Sequence, residues 1–191
     1  MIERKVVYFE HAGEENTLNT LKIAKERADE LGIKEIIVAS TTGYTAKEAV
    51  KIFDPNKYKL IIVTHMTGFI EPGFQEFPDE LRKELEKKGV KILTCTHAFG
   101  GVERAIRKTF NTYGPVEIIA NALRVFGEGT KVAIEIVLMA ADAGLISMKN
   151  DVIAIAGTGR GADTALVISP AHTSNFFDLF VKEIICKPLE H

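Results

Sequence analysis

The sequence predicts an α/β fold: a mostly parallel sheet with helices on both faces, in one domain spanning residues 1–191. Three observations predict it. Short runs rich in Ile and Val alternate with amphipathic helical segments through the first half of the chain, the pattern of a parallel sheet covered on both sides. The 191 residues are 46% hydrophobic and 26% charged, with no linker or low-complexity tract that would divide a single core. Near the C-terminus, two apolar runs are separated by only seven residues, too few for a crossover helix, so the second strand runs antiparallel to the first.

Taken in order, "RKVVYFE" (4–10) suits a strand, and "GEENT" supplies acids and an Asn16 or Thr17 cap for a helix. Leu18, Leu21, Ala24, Ala28 and Leu31 share one face of that helix, which Gly32 ends. The strand "EIIVA" (35–39) precedes a helix carrying Ala46, Ala49, Val50 and Phe53, closed by Asp54-Pro55-Asn56. "KLIIV" (59–63) is the third strand, and a loop rich in Gly, Pro and Phe follows it. Pro78 then opens a helix with Leu81 and Leu85 inward and Gly89 at its end, leading into the strand "VKILTC". A turn is expected near 101–109, a helix from Pro115 to before Gly127, and a nearly all-apolar, buried helix from about Thr130 to Gly144. "DVIAIAG" (151–157) and "TALVI" (164–168) are the antiparallel pair, and "VKEII" (181–185) reads as a last edge strand.

A formal charge of −2 and no basic tract argue against nucleic-acid binding. Cys95 and Cys186, the only cysteines, have neither disulfide-framework nor zinc spacing, which suits a reducing cytoplasm. The first ten residues lack an apolar signal core, and "KVAIEIVLMAADAG" is too short and too charged to span a bilayer, so no membrane association is expected.

Ligands of open α/β sheets bind beyond the carboxyl ends of the strands. There the sequence places Ser40-Thr41-Thr42-Gly43-Tyr44-Thr45, then Thr64-His65-Met66-Thr67-Gly68, then Thr96-His97-Ala98-Phe99-Gly100-Gly101, then Gly157-Thr158-Gly159-Arg160-Gly161. Glycine admits close backbone approach, the free amides of a helix start donate to an anion, and Ser/Thr hydroxyls complete a phosphate cradle. Residues 40–45 hold every part of one, yet Thr45 and Glu48 also spell a capping box, and the segment alone does not decide between them. "GTGRGAD" suits a second phosphate contact through Arg160, or equally a glycine-rich hairpin loop. Its spacing is not the dinucleotide fingerprint, and the G-x-x-x-x-G-K-[ST] loop of nucleotide hydrolases is absent from the sequence.

His65, His97 and His172 follow strands, but none has i, i+4 spacing or a neighbouring carboxylate. No metal is expected, and hydrogen-bonding or acid–base roles beside a ligand suit them better. Lys131, Glu135 and Asp142 fall within about 40° of one another on the apolar helix. A salt-bridged or subunit-contact face is the simpler reading of that stripe, and an acidic pair facing a ligand the other.

The stretch "TLKIAKERADELGIKEIIVASTTGYTAKEAVKIF" resembles the start of the pyruvate kinase C-terminal domain, and "KLIIVTH", "KKGVKILT" and "NDVIAIAGTGRGADTALVI" continue the match in order, over about residues 17–169. That resemblance implies a three-layer α/β/α sandwich with core order 3-2-1-4-5 and strand 5 antiparallel. It also implies a phosphate cradle at Ser40, Thr42, Gly43 and Thr45, with Gly157 to Gly161 as a closing loop. The family's catalytic barrel, about 250 residues, does not fit within this sequence, so pyruvate kinase activity is not implied. With "GADTA" and "PAH", the chain is similar to small archaeal-type proteins of this kind associated with flavin mononucleotide (FMN).

The expected ligand is therefore a phosphorylated small molecule, FMN first, contacted by Ser40, Thr41, Thr42, Gly43, Tyr44, Thr45, Thr64, His65, Gly157, Thr158, Gly159, Arg160 and Gly161. Tyr44, Met66, Phe69 and Phe99 are available to line its ring. An oxidoreductase activity would follow from the flavin, with no catalytic residue assigned. Two alternatives remain: a non-enzymatic sensor of a phosphorylated metabolite, and a hydrolase or isomerase using His65, His97 or His172. The apolar middle helices leave room for a homo-oligomer.

Overall fold

A computed structural model describes residues 1–190. Its seven-stranded sheet has the order β1-β7-β6-β5-β2-β3-β4. The strands are β1 (Val7–Phe9), β2 (Glu35–Ala39), β3 (Lys59–Val63), β4 (Lys91–Leu93), β5 (Val152–Ala156), β6 (Thr164–Ser169) and β7 (Phe180–Pro188). The helices are α1 (Thr17–Leu31), α2 (Tyr44–Ile52), α3 (Asp79–Lys87), α4 (Gly101–Phe110), α5 (Pro115–Arg124) and α6 (Glu128–Asp142).

β2 pairs in parallel with β3 and β5, and β3 with β4. β6 is antiparallel to both β5 and β7, while β1 is parallel to β7, so β6 alone runs against the rest. The five strands β4-β3-β2-β5-β6 reproduce the core order 3-2-1-4-5 with its last strand reversed.

Side-chain alternation divides the sheet between two cores. Ile36, Val38, Leu60, Ile62, Ile153 and Ile155 face a layer containing Leu21, Ala24 and Ala28 of α1, Ala46 and Ala49 of α2, and Leu81 and Leu85 of α3. Ile37, Ile61, Val63, Ala154 and Ala156 face α6, whose Ala133, Val137 and Ala140 are fully buried. The small residues of α6 let it lie close on the sheet. At Gly129 a Cβ would stand 2.2 Å from Thr164 Oγ1.

The structure differs from the sequence expectations at three elements. The segment 101–109, expected to be a turn, is the helix α4. Its Val102, Ile106 and Phe110 do recur at helical spacing, but they face outward, and a Gly-Gly start hides the signal. β7 is nine residues long and lies inside the sheet instead of at its edge, because β1 adds beyond it with Val7 opposite Cys186. β4 is limited to Lys91–Leu93, and the chain then leaves the sheet. Among the described residues, no helix is long and apolar enough to cross a membrane.

Candidate functional site

Because β2, β3, β4 and β5 share a direction, their four following loops gather at one end of the sheet. The N-terminal half of α6 covers them from one side. Between them lies a cleft of about 290 Å³, lined by residues of the turns after β2, β3 and β5, by His97 after β4, and by α6.

The turn after β2 enters α2 through Gly43, whose φ of 95° is left-handed. A Cβ there would meet Leu81 at 2.2 Å. The left-handed turn is what favours glycine, a Leu81 side-chain tip being able to move, and Gly43 itself does not line the cleft. Ser40 Oγ accepts the Ala46 amide at 3.2 Å and so closes the turn. The N-cap residue Gly43 has no side chain to cap α2, and Glu48 pairs with Lys51, so the capping box is not formed. The amides of residues 42–45 have no protein acceptor among the described residues. They open the helix beside the exposed Thr42 and the buried Thr45, both of which line the cleft.

The glycine loop after β5 is held from below. Asp163, fully buried, accepts the amides of Thr158 at 3.0 Å and Gly13 at 3.3 Å and the Thr164 hydroxyl at 2.7 Å. Thr17 Oγ1 accepts the Ala162 amide at 3.0 Å and donates to Glu14 O at 2.6 Å. Gly157, Gly159, Arg160 and Gly161 therefore border the cleft, while Thr158 does not. Gly161 has no room for a side chain: a Cβ would stand 2.4 Å from Thr17 Oγ1.

Thr64 lines the cleft, but its hydroxyl bonds sideways to Thr94 Oγ1 at 2.6 Å. His65 reaches Thr41 Oγ1 through Nε2 at 3.3 Å and Glu76 Oε2 through Nδ1 at 2.7 Å. His97 Nε2 accepts the Met66 amide at 3.3 Å, which requires a neutral ring with its proton on Nδ1. Burial, reinforced by His65, Lys131 and Arg104 and opposed by Glu135, holds the pKa of His97 down at about 4. Phe69 packs on both histidines, with ring centroids 4.1 Å from His65 and 5.2 Å from His97.

His172 is not part of this group. It follows β6, the reversed strand, so it emerges at the opposite end of the sheet, where it bonds to Asp142 at 3.1 Å. The polar stripe of α6 divides in the same way. Lys131 and Glu135 pair at the cleft, whereas Asp142, roughly 10 Å beyond Glu135 along the helix axis, accepts the Thr173 amide and hydroxyl. Of the four candidate ring-lining residues, Tyr44 and Phe69 border the cleft and Met66 and Phe99 do not.

The sequence reading named Arg160 as a phosphate contact and placed Lys131 on a polar stripe, but missed the other cations of the cleft, Arg104 and Arg124. Arg104, Arg124 and Lys131 line the cleft together with Arg160. Arg124 and Lys131 pair with Glu128 and Glu135, while Arg104 stacks over Phe69 at 4.7 Å and has no carboxylate partner among the described residues. Their local signal was weak, because they come from three helices whose docking the sequence does not spell out. No cluster of three metal-ligating side chains occurs among the described residues.

Among solved structures the chain is similar to a pyruvate kinase from Cryptosporidium parvum, at 18% identity over 79% of this chain and 22% of that one, with a TM-score of 0.41. It is also similar to Cryptosporidium parvum pyruvate kinase in complex with ADP, at 20% identity over 79% and 22% of the two chains, with a TM-score of 0.40. The chain thus spans about a fifth (22%) of the length of these pyruvate kinases. Residues 18–168, most of the chain, match the family described as "Pyruvate kinase, alpha/beta domain". The chain belongs to the pyruvate kinase alpha/beta domain family.

Proposed function

We propose that the cleft binds a phosphorylated small molecule with a flat ring, FMN being the first choice. The observation that carries this reading is the set of amides at residues 42–45 that have no protein acceptor among the described residues, beside a cleft also lined by Arg104 and Arg160, neither with a carboxylate partner among the described residues. A phosphate there would accept from amides at a helix start and from the Thr42 and Thr45 hydroxyls, with Arg160 closing over it. The other side of the cleft fits a ring. Tyr44 and Phe69 border it, the latter with Arg104 and the two histidines against its ring, and Val132, Ile136 and Met139 of α6 form an apolar wall. Bound FMN would supply electron or hydride transfer, while the chain's own residues would orient it and shield it from water.

The test is the visible absorption spectrum of the purified protein before and after FMN is added, with the affinity for FMN and for riboflavin measured by calorimetry. Saturable binding with a perturbed flavin spectrum, tighter for FMN than for riboflavin, is expected. A protein that binds neither, or binds both equally, overturns the reading.

A further inference from the structure

We propose that Thr41, His65 and Glu76 form an acyl-transfer site, in which Thr41 is the nucleophile and the substrate is a carboxylic ester bearing an anionic group. The inference does not rest on the flavin reading. It rests on three side chains in series: Thr41 Oγ1 lies 3.3 Å from His65 Nε2, and His65 Nδ1 lies 2.7 Å from Glu76 Oε2. Nucleophile, base and orienting carboxylate at hydrogen-bond separations are the geometric signature of covalent catalysis, and the first of these contacts is often loose before substrate binds.

The three residues converge from separate segments, and each is held. Thr41 stands in the strand–turn–helix between β2 and α2, and the amide of the next residue, Thr42, has no protein acceptor among the described residues. His65 follows the adjacent parallel strand β3. Glu76 comes back from the loop after β3, where Gln75 Nε2 donates to the His65 carbonyl at 3.1 Å and Phe77, only 1% exposed, anchors the chain in the core. The Glu76 side chain is 8% exposed and that of His65 32%, so the carboxylate is shielded while the imidazole meets the cleft. With Nδ1 donating to Glu76, the His65 ring presents Nε2 to accept from Thr41. Arg104, stacked on Phe69 beside His65 and without a carboxylate partner among the described residues, selects an anionic substrate.

In the reaction, Thr41 Oγ1 bonds to the ester carbonyl carbon as its proton passes to His65 Nε2. The bond from that carbon to the alkoxy oxygen breaks, and the departing oxygen takes the proton. Water then attacks the acyl carbon, giving its proton to His65. The acid leaves, and the proton returns to Thr41 Oγ1. Glu76 is a positioning residue and is not itself protonated.

The test is a pre-steady-state assay on the full chain with p-nitrophenyl acetate and with the anionic mono-p-nitrophenyl succinate, which should acylate faster, followed by peptide mass mapping. The expected result is a burst of nitrophenolate with one acetyl group on Thr41. Thr41→Ser should keep the burst and move the acetyl group to the new hydroxyl, and Thr41→Val should abolish it. His65→Gln should slow acylation about a hundredfold. Glu76→Gln should shift the pH profile of acylation, whereas Glu76→Asp should restore most of the rate. Thr109→Ala, on the exposed face of α4, should change nothing. Acetylation confined to lysine or histidine, or Thr41 acetylation unaltered in His65→Gln, would overturn the proposal. Because the readout needs no flavin, its failure is separate from failure to bind FMN.

Discussion

Lys131 and Glu135, one turn apart on α6, form a buried ion pair, and the Glu135 carboxylate also accepts the Phe99 amide at 2.8 Å. The most apolar helix of the chain is thereby tied to the loop after β4 at the cleft. With both side chains less than a tenth exposed (8% and 6%), solvent screens the pair little.

Removing one partner of such a pair strands the other charge. Lys131→Met is expected to destabilise the fold by about 3 kcal/mol at neutral pH, as measured by urea unfolding. The double variant Lys131→Met with Glu135→Met should recover part of that loss, because no charge is then left buried. Additive losses would show that the two side chains are not coupled.

His97 makes stability depend on pH. Folded, it stays neutral down to about pH 4, whereas an unfolded histidine takes up its proton near pH 6.5. The unfolded chain therefore binds the extra proton between those values. The stability owed to this group is complete above about pH 6.5 and is lost as pH falls toward 4, by up to about 3 kcal/mol. The check is the urea midpoint against pH for the parent and for His97→Gln. The parent should fall more steeply through that window, and parallel curves would refute the assignment.

The cradle predicts a selective loss of affinity. Thr42→Ala with Thr45→Ala should weaken FMN binding more than tenfold, on the order of two charge-assisted hydrogen bonds. Arg160→Ala should weaken FMN binding less and leave riboflavin binding unchanged. Calorimetry with both ligands distinguishes a phosphate contact from general damage to the cleft.

The glycine loop predicts two different costs. Gly159 and Gly161 have φ values of 73° and 70°, but a Cβ on Gly159 meets nothing within 4 Å, whereas one on Gly161 strikes Thr17 Oγ1 at 2.4 Å and Glu14 Cα at 2.6 Å. Gly159→Ala should cost about 1 kcal/mol from backbone conformation alone. Gly161→Ala should cost roughly 3 kcal/mol or more, since backbone must move. Thermal unfolding of the two variants reads the difference, and equal losses would place the strain elsewhere.

The sequence by itself determined most of the elements and the parallel strands whose following loops share one end of the sheet. Buried strands such as Ile36–Val38 and amphipathic helices such as α1 are periodic, and periodicity is a local property. The seven-residue gap before β6 announced the reversed strand for an equally local reason, the minimum length of a crossover. The turns at residues 40–45 and 157–161 were legible because glycine and hydroxyl residues after a strand mark where the chain leaves the sheet.

Only the tertiary structure decided which of those residues meet. His97 joins His65 and His172 does not, because strand direction, which no short segment carries, sets the end of the sheet at which each emerges. Glu76 reaches His65 through a loop return, and Arg104, Arg124 and Lys131 reach the cleft through the docking of α4, α5 and α6. β1 and β7 pair across almost the whole chain, Val7 with Cys186. Contacts of that separation arise from packing of completed elements, and that packing, not any motif, assembles the cleft.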